Sequence, residues 1–310
     1  MRFLLALLVA LLGLAPAFGL ASAGSAATLE VGPGRRLTVP SEAARVARDG
    51  DTIAIDAGDY VDCAVWTRRN LVIEGRGRGA VIRRRVCDEK GVFVTVGDHI
   101  TIRNLTFADA RAPSHNGAGI RAEGTDLTVE NSRFVDNENG ILSGPSDGTI
   151  LVRGSEFRGN GTCEAACAHA IYAGRIGLLR VERSRFSGTH QGHDIKSRAR
   201  RTELIDNVIE DGPCGSSSYL VDIPNGGATL IQGNRMAKGP KSDNPGTAIS
   251  IGAEGVSNPT PWLVVRNNRF VNRQTVHTVF VRNLTATEAR LAGNVLRGDV
   301  TPLDGPGSVR

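Results

Sequence analysis

Aromatic residues are scarce in this 310-residue chain: nine Phe, three Tyr and two Trp, 5% of the total. Binding single-stranded nucleic acid needs aromatic platforms along a basic track. Here the Lys and Arg residues are scattered, so no nucleic-acid partner is expected. A tetrahedral zinc cluster carries closely spaced ligand pairs in two places, whereas Cys163 and Cys167 form a single such pair. No metal site is therefore assigned. The apolar run from Phe3 to Leu14 is too short, and too broken by Gly13 and Pro16, to read as a membrane span. With Arg2 before it and Ala21, Ser22 and Ala23 after it, the run reads as a secretory signal peptide over residues 1–23. No Cys follows that exit to take a lipid anchor. Stable membrane insertion is not expected, and the mature chain is placed in the periplasm or outside the cell.

An excess of one charge is also missing. The net charge of +5 falls to +4 on 287 residues once residues 1–23 are removed, because only Arg2 is lost. Mild basicity favours acidic ligands without naming one. Helical periodicity is absent between Ile102 and Leu296, as is the Leu-x-Leu signature of leucine-rich repeats.

What that stretch does contain is a six-residue signature, repeated eight times. It consists of an aliphatic residue, two variable positions, a Ser or Asn, one more variable position and a bulky apolar residue. The first column reads Ile102, Val129, Val152, Val181, Leu204, Ile231, Val265 and Leu291. The last reads Phe107, Phe134, Phe157, Phe186, Ile209, Met236, Phe270 and Leu296. Between them stand Leu105 once and then Ser132, Ser155, Ser184, Asn207, Asn234, Asn268 and Asn294, the small polar residues a tight bend accepts. The last column recurs at intervals of 27, 23, 29, 23, 27, 34 and 26 residues, about one coil of a solenoid each time. A further β-branched column, Ile120, Ile141, Ile171, Ile195, Val221, Ile249 and Val279, lies between the signatures. The reading is an all-β fold, a right-handed parallel β-helix whose identical positions stack at roughly 4.8 Å.

The domain is expected over residues 24–296, with a capping helix at about 41–48 that plugs the open solenoid end. Asp51 to Tyr60 reads as the first strand. Residues 297–310, rich in Gly, Pro and Asp, read as a mobile tail. In an exported chain the five cysteines suggest two disulfides. Cys63 and Cys87, one coil apart, suit adjacent turns. Cys163 and Cys167 suit a small loop, although Cys214 could pair with either of them.

If the β-branched column points inward, the residue after it points out: Arg121, Leu142, Tyr172, Lys196, Asp222, Ser250 and Phe280 in chain order. Two positions further on stand Glu123, Gly144, Gly174, Arg198, Pro224, Gly252 and Arg282. Breaking a uronate polymer by β-elimination needs a cation for the carboxylate, a base for the adjacent proton and an acid for the leaving oxygen. Lys196 is the candidate base; Arg198 and Arg200 favour its neutral form and Asp222 its charged one. Arg198 suits a bidentate grip on a carboxylate, and Tyr172 or His193 the proton donor. Arg121, Asp222, Asn225 and Glu254 are read as substrate-binding. The bland alternative is that Lys196 and Asp222 are an ordinary cross-rung ion pair on a solvated face.

From Leu29 to Leu296 the chain resembles the pectate-lyase-like superfamily of right-handed β-helices. The carriers are Ala43-Ala44, Asp49-Gly50-Asp51-Thr52-Ile53 and Ala57-Gly58-Asp59-Tyr60, similar to that superfamily's cap helix and first coil. A narrower resemblance, over Gly192 to Met236, is to the chondroitinase B and alginate lyase family. There an Asn-Lys-Ser strand is followed one coil later by Arg-His-Gly, with the Lys as base, the Arg as a second catalytic group and calcium neutralising the carboxylate. Ile195-Lys196-Ser197 matches the Lys-Ser part, which implies Lys196 as base. The next coil reads Pro224-Asn225-Gly226, without the Arg. Calcium is the one cofactor this implies, with Asp222 and Glu254 the residues that could help hold it.

The expected function is action on, or binding of, an acidic polysaccharide by a monomer, through β-elimination or epimerisation. A noncatalytic carbohydrate-binding or envelope protein is the alternative, and would need a groove lined with aromatic platforms. A glycoside hydrolase is the third class, with Asp222 and Glu254 as its facing carboxylates.

Overall fold

The repeat columns become stacks. In a computed structural model, residues 26–77 and 79–310 are described; the expected signal peptide, residues 1–23, lies outside them. Among the described residues, short strands form three parallel sheets of twelve, ten and ten strands. The chain visits the sheets in rotation, one strand each per turn, and completes about eleven turns of a right-handed parallel β-helix. Val129 pairs with Ile102 and Val152 in one sheet, while Phe134 pairs with Phe107 and Phe157 in the next, in the register of the signature.

The interior follows from those columns. Phe107, Phe134, Phe157 and Phe186 are fully buried, and their rings stack at centroid distances of 5.3, 4.6 and 4.6 Å. Each such stack adds about 0.5–1.5 kcal/mol to the gain from burial alone.

The Ser and Asn column does more than permit a bend. Its side chains accept the backbone N–H of the same column one turn earlier: Ser184 N to Asn207 Oδ1, Asn207 N to Asn234 Oδ1 and Asn234 N to Asn268 Oδ1, each 2.9 Å. The amide nitrogens donate back to carbonyls, Asn234 Nδ2 to Leu204 O and Asn268 Nδ2 to Ile231 O, both at 2.9 Å. This ladder keeps the corner's polar groups paired inside the solenoid. The residue before each member has positive φ; at Asn131, Gly154, Asp206, Gly233 and Asn267 it is a Gly, Asn or Asp that tolerates it, and Arg183 before Ser184 is the exception.

Four boundaries differ from expectation. A strand at Thr28–Val31 precedes the expected first one, and the Asp51–Tyr60 stretch divides into Thr52–Ile55 and Gly58–Tyr60. The helix spans Pro40–Val46, opens on its proline and buries Ala43 against the end of the sheet that terminates in Ala64–Trp66. Within the expected tail, Val300–Asp304 pairs with Thr278–Asn283, and Gly307–Val309 with Ala289–Ala292. Backbone pairing orders this segment where no side-chain pattern announced it, because an uncovered turn leaves a row of unpaired N–H and C=O groups. The inward column ends on Val281, which pairs with Ile249, so Arg282 and not Phe280 is the outward residue there. Phe280 instead packs in the core beside Phe270.

Cys63 is bonded to Cys87 and Cys163 to Cys167, and Cys214 is an exposed free thiol. Phe157→Ala should cost about 3–5 kcal/mol of stability. Asn234→Ala, which strands a buried N–H and a buried carbonyl, should cost about 2–4 kcal/mol. Denaturant unfolding of the two variants against the parent chain measures both.

Candidate active site

The ten-strand sheet that begins with Ala64–Trp66 carries the chemistry. Its strands Ile171–Ala173, His193–Ser197, Tyr219–Ile223 and Thr247–Ile251 lie side by side. Tyr172 pairs with Lys196, Lys196 with Asp222 and Asp222 with Ser250, as the alternation requires. Arg198, Asn225 and Glu254 follow the ends of successive strands and fold back over the same face.

Six of the expected site residues form one network. Lys196 Nζ donates to Glu254 Oε1 at 2.8 Å and lies 3.3 Å from Asp222 Oδ2. Arg198 divides its guanidinium three ways, with Nε donating to the Tyr172 hydroxyl at 2.9 Å, Nη1 to Asn225 Oδ1 and Nη2 to Glu254 Oε2 at 2.6 Å. Both cations stand 5.8 Å from the centre of the Tyr172 ring, within cation–π range. The side chains of Lys196 and Arg198 are only 11% and 20% exposed against 45% for Glu254, so the cations form the floor and the carboxylate the surface.

His193 lies behind this network. Its ring stacks between His169 at 4.8 Å and Tyr219 at 5.0 Å on the neighbouring turns. Its Nδ1 accepts the Tyr219 backbone N–H at 3.1 Å, which puts the ring proton on Nε2, 3.5 Å from Asp222 Oδ2. Burial, and next the Lys196 charge, push His193 down to about 3, and burial holds His169 well below its ordinary value. Both are neutral imidazoles.

The two carboxylates on Lys196 are driven apart. Burial pushes Asp222 up to about 6 against the pull of Lys196, and its Oδ1 has no hydrogen-bond partner. Partial burial would also raise Glu254, but hydrogen bonds from Lys196 and Arg198 hold it below the usual range.

Toward the N-terminal turns the network opens into a cleft of about 500 Å³ lined by Arg198, Tyr172, Arg175, Gly174, Gly144 and Arg121 among others. A Cβ on Gly174 would lie 2.7 Å from Ser143 O, so the cleft floor needs a glycine there. Arg121, read as substrate-binding, stands two rungs beyond Tyr172 at the far end of the cleft, 3.5 Å from Glu123. Among the described residues, a larger concavity of about 720 Å³ over Asn104, Ser132 and Glu156 gathers fewer charged groups, chiefly Arg133 and Glu156.

The calcium implied by the family resemblance does not fit. Asp222 and Glu254 both turn an oxygen toward Lys196 Nζ, so an ammonium group already stands between them. Among the described residues, no three His, Cys, Asp or Glu side chains are placed to hold a metal. Arg198, from the preceding turn, brings its guanidinium to Asn225 of Pro224-Asn225-Gly226.

One group escaped the sequence reading. Asp194, fully buried, accepts from Thr189 Oγ1 at 2.6 Å. Burial and then the Asp211 charge raise it, while burial lowers nearby Lys238 to about 8. The signal was present, since Asp194 occupies the place in its turn that Gly119, Gly140, Ala170 and Ala248 hold in others.

No protein-family model matches the chain, and no curated protein matches it. Among solved structures it is similar to the pectate lyase Pel9A, at 15% identity and a TM-score of 0.57, covering 91% of this chain and 79% of that one. It is also similar to the PL6 family alginate lyase AlyGC, at 18% identity and a TM-score of 0.46, covering 93% of this chain and 39% of that one. For an alginate lyase from Paenibacillus sp. str. FPU-7 the values are 13% and 0.44, covering 91% and 99%. What the chain shares with Pel9A is the fold, that of the pectate-lyase-like right-handed parallel β-helices.

Proposed function

We propose that this is an exported protein acting on acidic polysaccharide, and that the Lys196 face removes the proton beside a uronate carboxylate, leading to β-elimination or epimerisation. The observation that carries this reading is that Lys196 and Arg198 share one carboxylate, with Arg198 and Tyr172 also lining an open cleft beside it. A uronate gripped there has its charge neutralised, which acidifies the adjacent C–H. Lys196 is the base once it has given up its own proton to solvent or through Asp222, 3.3 Å away, and while it is in that neutral form Arg198 holds the carboxylate. Tyr172 then protonates the leaving oxygen, and Arg198, donating to that phenol, stabilises the phenolate left behind. His193 serves by orienting Asp222, since its Nε2–H points there. The two disulfides support an oxidising, extracytoplasmic location. Against a purely binding role, the cleft is lined by one aromatic residue, Tyr172.

A second reading, hydrolysis, is favoured by the opposed shifts of Asp222 and Glu254, one kept protonated longer and one kept ionised, as an acid and its partner require. The two differ in product. Incubation with alginate, pectate and chondroitin should raise ultraviolet absorbance from unsaturated uronic ends. Lys196→Ala should lower that rate by about 10²–10⁴-fold with an unchanged circular dichroism spectrum. New reducing ends without that absorbance would retire elimination in favour of hydrolysis.

Stability carries its own pH signature. Folding raises Asp222 from 3.8 to about 6, so the folded chain holds a proton that the unfolded chain has lost between those values. Its contribution to stability therefore falls as pH rises from about 4 to 6 and is level above that. Asp222→Asn should match the parent at pH 3.5 and be more stable by up to about 3 kcal/mol at pH 8, as read by urea unfolding at the two pH values.

A further inference from the structure

The Lys196 and Arg198 pair has the form of a filled binding site. Each oxygen of the Glu254 carboxylate meets one cation, Oε1 the ammonium at 2.8 Å and Oε2 the guanidinium at 2.6 Å. That is the two-point grip by which such a pair holds the carboxylate of a ligand. The cations do not need Glu254 to stay in place. Arg198 is tied to Tyr172 and Asn225, and Lys196 to Asp222. Glu254 is the exposed partner, and an anion arriving from solvent approaches from its side.

The backbone beneath Glu254 is anchored while its side chain is the solvent-exposed member of the network. Glu254 N donates to Pro224 O at 2.9 Å, and Asn225 Nδ2 donates to Gly255 O at 3.1 Å, which pins the turn to the preceding one. The flanking Gly252 and Gly255 have φ of +87° and +89°, and nothing lies within 4 Å of where a Cβ on Gly255 would be. The glutamate therefore reaches back from a tight turn onto the two cations while staying 45% exposed to solvent. Exchanging it for another carboxylate leaves the charge on the two cations balanced, whereas displacement by a neutral sugar would leave Arg198 without its carboxylate partner.

We infer that Glu254 is the resting occupant of a carboxylate subsite built by Lys196 and Arg198, and that a single uronate carboxylate of the substrate displaces it on binding. This deepens the polysaccharide reading and rests on it for the identity of the ligand. Glu254 is then a competitor for the site it closes, and its removal strengthens binding of acidic sugars while leaving neutral ones unaffected.

The test is titration calorimetry of trigalacturonate and trimannuronate, with maltotriose as neutral control, on the parent chain, Glu254→Gln and Glu254→Ala. A second arm titrates glucuronate alone, read by NMR shifts of the Lys196 ammonium and Arg198 guanidinium. Both acidic probes should bind about tenfold more tightly to Glu254→Ala than to the parent, with Glu254→Gln between them and maltotriose unchanged. Circular dichroism and melting temperature show whether each variant is folded, and the isosteric Gln decides the matter if Ala is not. Equal or weaker binding of acidic probes by the variants, with trisaccharide binding intact in the parent, overturns the inference and leaves the polysaccharide reading standing. Tighter glucuronate binding without trisaccharide binding in any form supports the subsite and sinks the polysaccharide reading. No binding of any acidic probe overturns both.

Discussion

Everything in this molecule depends on parallel pairing in which each residue lies over its counterpart one turn away. That register, at roughly 4.8 Å per turn, turns sequence columns into physical stacks. Apolar columns become a dry interior, and the Ser and Asn column becomes a ladder that closes its own hydrogen bonds. The same register lines up the outward groups. Tyr172, Lys196 and Asp222 are neighbours because Ile171, Ile195 and Val221 stack beneath them. Core and candidate site are two faces of the same strands, and slipping one by a residue would exchange them.

The site draws its character from how deeply that outward row is covered. An ion pair on an open sheet face is worth little, because water screens it. Here the loops carrying Asn225 and Glu254 fold back over the row, so Asp222 is almost sealed and a single Lys stands between carboxylates of opposite tendency. Behind them the stack of His169, His193 and Tyr219 supplies neutral, donor-bearing rings. An exposed ladder pair would lack both the desolvation and this backing.

Much of this was legible in the sequence, and the reason is periodicity. The Phe and Val columns, the bend column and the outward order of Tyr172, Lys196 and Asp222 all follow from alternation within strands repeated turn after turn. Where side chains stop reporting the period, legibility stops. In Thr278–Asn283 both Val279 and Val281 have the parity of the inward column, so pattern alone could not choose between them. The last turn is built by backbone pairing through Gly and Pro, which leave no column. The network that Asn225 and Glu254 complete depends on turn geometry after the strands, and nothing in residue type records where a turn folds back. Asp194 was the reverse case, a polar residue at the place other turns give to Gly or Ala, buried where the charges of Asp211 and Lys238 from other turns reach it.

The stack also makes distance along the cleft countable. Groups on this face are separated by whole turns, so Arg121 and Lys196, three turns apart, stand roughly 14 Å from each other along the axis. Because every turn presents the same unpaired edge to the next, a complete turn can be gained or lost between them without disturbing the bonding of those on either side. A β-helix of this kind can therefore lengthen or shorten its cleft in fixed steps while the arrangement around Lys196 stays as it is. The cleft is graduated, and its length is open to revision one turn at a time.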